Sequence, residues 1–116
     1  MKKEEFIPRK LSERFMKNTY KLIWSEEALN NLKNIIEYLE KRWTEKEIKK
    51  FAKILDKRLE IIESNPFLFA KNDKLNGLRK SVLTKHTSIY YRINQNDIRI
   101  ITLFDNRKNP KNLRNK

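Results

Sequence analysis

Apolar residues recur in two rhythms along this chain. Residues 20–24, YKLIW, form a short β-rich run and predict a first strand. From Ala28 the period lengthens. Ala28, Leu29, Leu32, Ile35, Ile36, Leu39 and Trp43 fall at helical spacing, with Asn, Lys and Glu between them. One apolar stripe on an otherwise polar rod is an amphipathic helix. Ser25 is a good N-cap for it, and Glu26 and Glu27 suit the positive end of the helix dipole. Thr44 restarts the pattern, and Thr44 with Glu47 has the spacing of a capping box. Ile48, Phe51, Ala52, Leu55, Leu59 and Ile62 carry a second stripe, which Ser64-Asn65-Pro66 stops. A break confined to residues 42–44 predicts an antiparallel helical hairpin.

After the hairpin the period shortens to two. Phe67-Leu68-Phe69 lies between a helix stop and the polar run KNDK, so it reads as a loop whose aromatics close the helix–sheet core. Residues 78–83, 88–93 and 98–104 predict three further strands, with turns at 84–87 and 94–97. The order is β-α-α-β-β-β. The fold class is α+β: a two-helix antiparallel hairpin on one face of a mainly antiparallel four-stranded sheet. Strand alternation sets Ile89, Tyr91 and Ile93 on one face and Tyr90 and Arg92 on the other, so one of the two tyrosines is expected in the core. The face away from the helices, with Arg79, Tyr91 and their neighbours, is expected to meet solvent or a partner.

At 116 residues the chain makes one domain. Residues 1–18 read as an N-terminal extension, flexible or a short helical turn around Leu11 and Phe15. Residues 19–110 form the main domain and residues 111–116 a basic tail, mobile after Pro110. Two readings of the start stay open: residues 1–15 are native, or Met16 is the natural first residue, because MKNTYKLIW leads straight into the first strand. The first residues lack the apolar run of a signal peptide, and no apolar run reaches membrane-spanning length, so a cytoplasmic location is expected.

Charge changes the picture most. Lys and Arg number 28 against 15 Asp and Glu, a formal net charge of +13. Such a domain attracts polyanions or an acidic protein. A Lys-rich composition of the kind an AT-rich genome encodes competes as an explanation. With no Cys and one His, a metal-ligand cluster is not supported and no cofactor is expected. A single Gly leaves no phosphate-cradling loop. Ser88 near His86 is weak support for a nucleophilic triad. A metal-free ribonuclease fits better: Arg79, Lys80, Lys85, Arg92, Arg99 and Arg107 could stabilise phosphate charge, with His86, Tyr90 or Tyr91 as acid–base groups. The same cations suit a binding surface without chemistry, because the arginine fork grips carboxylates and phosphates alike.

The order of elements, with YKLIWSEEAL at 20–29, the Pro66 loop, LRK at 78–80, SIYYRI at 88–93 and IRIITLFDNRKNP at 98–110, resembles the RelE/ParE superfamily of type II toxin–antitoxin toxins. The resemblance covers residues 20–110. It implies a small basic toxin neutralised by an acidic antitoxin in a hetero-oligomer, with no membrane partner. RelE-like members cut mRNA on the ribosome; ParE-like members poison DNA gyrase. On the RelE-like pattern Arg79 falls near a strand-two basic position and Arg107 near the C-terminal arginine. Ser81 stands where a lysine is wanted and Ser88 where an arginine is wanted. No Tyr or His follows Arg107, and His86 is misplaced to substitute. Each missing transition-state contact costs a factor of about 10²–10³. The resemblance therefore favours the ParE-like branch, acting by binding more than by catalysis. The ribosome-dependent mRNA endonuclease is the rival, and a non-toxic nucleic-acid-binding module comes third. Arg79, Lys80, Tyr91, Arg92, Arg99 and Arg107 are the expected contact residues; if the chain is a ribonuclease, Arg79, Arg107, Tyr91 and His86 are the expected catalytic ones.

Overall fold

A computed structural model describes residues 20–108 and Leu113; the N-terminal extension and the choice of start at Met16 lie outside the described residues. Strand β1 (Lys21–Trp24) leads into helix α1 (Glu26–Arg42), which turns into helix α2 (Glu45–Ser64). Four strands follow: β2 (Lys71–Asn72), β3 (Leu78–Val82), β4 (Thr87–Asn94) and β5 (Asp97–Asp105). They form one sheet in the order β1-β5-β4-β3-β2, in which β1 alone is parallel to its neighbour. The α+β plan of a helical hairpin on a mainly antiparallel sheet therefore holds, with five strands in place of four.

The additional strand comes from the KNDK run. Lys71 and Asn72 pair with Arg79 and Leu78 across a tight return. A short 3₁₀ turn at Asp73–Leu75 precedes Asn76 at φ 57° and Gly77 at φ 77°. Two successive left-handed residues reverse the chain here, and the only glycine of the sequence holds the second position. Two polar residues carry no alternation signal, so this strand was invisible to periodicity.

Ser25 caps α1 as expected, its hydroxyl accepting from the Ala28 amide at 2.9 Å. Thr44 is the N-cap of α2, but its side chain makes no cap bond; the capping box is not formed. Trp43, assigned to the first stripe, is the C-cap of α1 and is 56% exposed. Ala52 also faces solvent. Most of both stripes packs on the sheet, with Leu32, Ile36, Leu55, Leu59 and Ile62 in one cluster with Ile89, Tyr91, Ile98 and Ile100.

The opposite face is not left bare. Leu75, Leu78, Tyr90, Phe104 and Leu113 form a second buried cluster there. Both tyrosines are therefore core, one on each side of the sheet. Leu113 is fully buried, so the tail expected to be mobile is anchored at that residue. A bulge between Tyr90 and Tyr91 opposes Tyr91 to Ile100 and Tyr90 to Thr102, which leaves Ile101 to pack on the second cluster. Beyond Trp24 the edge of β5 has no strand beside it among the described residues. Ser25 fills part of that gap, donating its hydroxyl to the Ile101 carbonyl at 2.7 Å. The Asn31 carboxamide oxygen fills the rest, accepting from the Leu103 amide at 3.1 Å and the Thr102 hydroxyl at 2.7 Å.

Candidate functional site

The register of β3 against β4 sets Arg79 opposite Tyr91 and Ser81 opposite Ile89. This row faces the helices, not the open side of the sheet, which corrects the expected placement of Arg79 and Tyr91. Tyr91 is fully buried, and its hydroxyl donates to the Pro66 carbonyl at 2.6 Å. Burial pushes its pKa up to about 12, partly opposed by the nearby Arg79 cation. Arg79 donates to the Phe69 carbonyl at 2.7 Å, and its guanidinium lies 5.1 Å from the Phe67 ring centre. Phe69 meets Tyr91 edge-on. These two residues brace the 65–70 loop from beneath. As placed, Tyr91 presents no surface to a partner.

The two serines have structural partners. Ser81 is fully buried and accepts from Arg58 of α2 at 2.8 Å; Arg58 also bonds the Val82 carbonyl and lies over the Phe69 ring at 5.9 Å. Ser88, also fully buried, donates to the Asn106 carboxamide oxygen at 2.7 Å.

Arg107 is far from Arg79. Arg79 aligns with Tyr91, whereas Asp105 aligns with Thr87, four residues away along β4, or about 13 Å. Arg107 is exposed and forks onto Asp105, with Nε–Oδ1 2.9 Å and Nη2–Oδ2 2.8 Å. The bonds from Arg107 hold the Asp105 carboxyl down at about 2, below its ordinary 3.8. The same bonds raise Arg107 further.

Arg107 and His86 do share a groove of about 610 Å³ between the helical hairpin and the end of the sheet. Its floor is Ile35, Leu39, Phe51, Ile54 and Leu103, and Tyr38 and Trp43 stand at its rim with Lys50 and Lys108. Tyr38 is 51% exposed and carries the Arg42 guanidinium 5.2 Å from its ring centre. The remaining expected contacts lie on the face away from the helices. Lys80 is exposed beside Tyr90, and Arg92 stands directly opposite Arg99 across β4 and β5. Arg92 donates to the Asn76 carbonyl at 3.3 Å, and Arg99 is 3.8 Å from Asp97. Among the described residues no group of His, Asp and Glu could hold a metal ion, and no helix is long and apolar enough to cross a membrane.

The expected cations thus divide among three places: the loop brace, the groove and the far face. Arg58, Asn31 and Tyr38 were not among the expected residues. Arg58 sits three residues after Leu55 and four before Ile62, inside the apolar stripe, and a cation at that position is a legible signal of a buried partner.

Residues 22–110 match the family described as ParE toxin of type II toxin-antitoxin system, parDE. The chain belongs to the ParE toxin family. A chain of the chromosomal ParDE TA system from P. aeruginosa shares the fold of this ParE-family chain, with a TM-score of 0.64 and 16% identity. That similarity covers 75% of this chain and 96% of the other. No curated protein matches the sequence.

Proposed function

We propose that this ParE-family chain arrests growth by binding an essential target, without cutting nucleic acid, and that an acidic antitoxin neutralises it. The observation that carries the reading is the state of Tyr91. A general acid or base needs a reachable proton and a pKa near the working pH. The Tyr91 hydroxyl is buried, committed to the Pro66 carbonyl and pushed up to about 12. Ser81 and Ser88, at the positions wanted for cations, are buried in hydrogen bonds. The resemblance makes DNA gyrase the first target to test.

The antitoxin side of the reading rests on the groove. Apolar residues line its floor, aromatics stand at its rim, and Lys50, Arg107 and Lys108 outnumber Glu47 and Asp105 along it. That combination suits an acidic segment with apolar anchors.

Purified chain is mixed with the product of a neighbouring acidic reading frame, and a stable complex is expected; its absence would sink the antitoxin claim. Supercoiling by DNA gyrase is then assayed beside transcript-end mapping on translating ribosomes. Inhibited supercoiling with intact mRNA is the expected result. The rival reading draws on one observation, that His86 and Arg107 line the same groove. Codon-phased mRNA cuts that disappear in Arg107→Ala would establish it instead.

A further inference from the structure

The 65–70 loop exposes apolar side chains that a small domain would normally bury. Phe67 is 58% exposed and Leu68 is 59% exposed, and Ile61 on the last turns of α2 is 43% exposed. Scattered exposed apolar residues need no explanation. These differ because the backbone that carries them is fixed at several points. The Leu68 amide donates to the Asn65 carbonyl at 3.1 Å. Tyr91 holds the Pro66 carbonyl, and Arg79 holds the Phe69 carbonyl. Pro66 is buried, and Phe69 is packed between Tyr91 and Arg58. The core thus spends a buried tyrosine and two arginines on one loop, whose outermost side chains are more than half exposed. Such a loop has already lost the freedom that binding would otherwise take from it.

We infer that the 65–70 loop is a preorganised docking knob, and that Phe67 and Leu68 enter an apolar pocket edged by carboxylates on the protein the toxin arrests. Charge argues for the carboxylates. Arg79 stacks on Phe67, and exposed Lys71 pairs with Arg79 in register. An apolar centre with a cationic border is complementary to an apolar pocket with an acidic one. Arg79 and Tyr91 are then positioning residues for the knob. The groove draws its lining from residues 31–54 and 84–108, so it shares nothing with the loop. One surface is left for the target while the other serves the antitoxin. This inference rests on the binding reading of the function.

The test uses the full chain expressed without antitoxin, with survival after induction as the readout. The double variant Phe67→Ser/Leu68→Ser should raise survival by about 100-fold, the scale of losing a hot-spot contact. Its melting temperature and antitoxin affinity should stay those of the parent. Leu68→Asp and Leu68→Lys keep the Arg79–Phe67 stack and separate the charge claim. Asp should rescue survival more than Lys. Unchanged killing by the double variant, or by Leu68→Asp, overturns the knob. Equal rescue by Asp and Lys overturns the acidic border. Transcript ends mapped in the parent separate this from the binding reading: mRNA cuts refute that reading whatever the loop variants do.

Discussion

Tyr91 shows how burial decides the role of a reactive side chain. Its ring packs beneath the helical hairpin and its hydroxyl makes one strong bond to Pro66. Replacing it with Phe keeps the ring and leaves a buried carbonyl without its donor, a loss of about 1 kcal/mol. For a chain of 116 residues that lowers the melting temperature by roughly 4 °C. Calorimetry of Tyr91→Phe checks it, and an unchanged melting temperature would remove the brace from the argument. Asp105 makes a different prediction. Its folded pKa is lowered from 3.8 to about 2 by Arg107. A depressed carboxyl contributes stability that is full above its unfolded value and is lost as pH falls through its folded value, so the window here is pH 3.8 down to about 2. A carboxyl NMR titration should find the Asp105 midpoint near the low end of that window and return it toward the ordinary range in Arg107→Ala. At this scale the sequence was only half informative. Alternation separated Tyr91 from Tyr90 and required one of them in the core, without saying which; Tyr91 was expected with Arg79 on the open face. Nothing local announced the carbonyl of Pro66, 25 positions away.

Elements were the most legible level where a pattern repeated over several turns. Both helices and the hairpin between them follow from apolar spacing and the Ser25 cap. The three long strands follow from alternation to within a residue or two. What escaped lacks periodicity. Lys71 and Asn72 form a strand only because β3 lies beside them, and Leu113 is one apolar residue in a basic tail. The sealing of β5 was equally hidden, because Asn31 reads as an ordinary polar position on α1. One carboxamide oxygen there serves two donors, the Leu103 amide and the Thr102 hydroxyl. Asn31→Ala strands both on a half-covered sheet edge, where the loss should be about 1–3 kcal/mol. Denaturant unfolding should show a lower midpoint with an unchanged slope. A midpoint equal to the parent's would mean that water replaces the side chain without cost.

The whole molecule separates its surfaces. Among the described residues, the expected cations divide among loop, groove and far face: Arg79 at the loop, Arg107 in the groove, and Arg92 opposite Arg99 on the far face. Composition made the charge legible and could not say where it would gather, because that depends on which strand faces the helices. The groove tests the separation directly. Tyr38 and Trp43 stand half-exposed at its rim. Replacing exposed side chains costs the fold little, within about 0.5 kcal/mol. If the groove receives the antitoxin, truncating these aromatics removes anchors of the kind that dominate interfaces, and affinity for the antitoxin should fall about 30- to 1000-fold in Tyr38→Ala/Trp43→Ala. Growth arrest in the absence of antitoxin should be untouched, since neither residue adjoins the 65–70 loop in the chain. In cells that make both proteins the variant should therefore kill where the parent is tolerated. Titration calorimetry gives the affinity and plating with antitoxin co-expressed gives the phenotype. A double variant that still binds antitoxin as tightly as the parent would move the antitoxin off the groove. One that loses killing as well would merge the two surfaces into one.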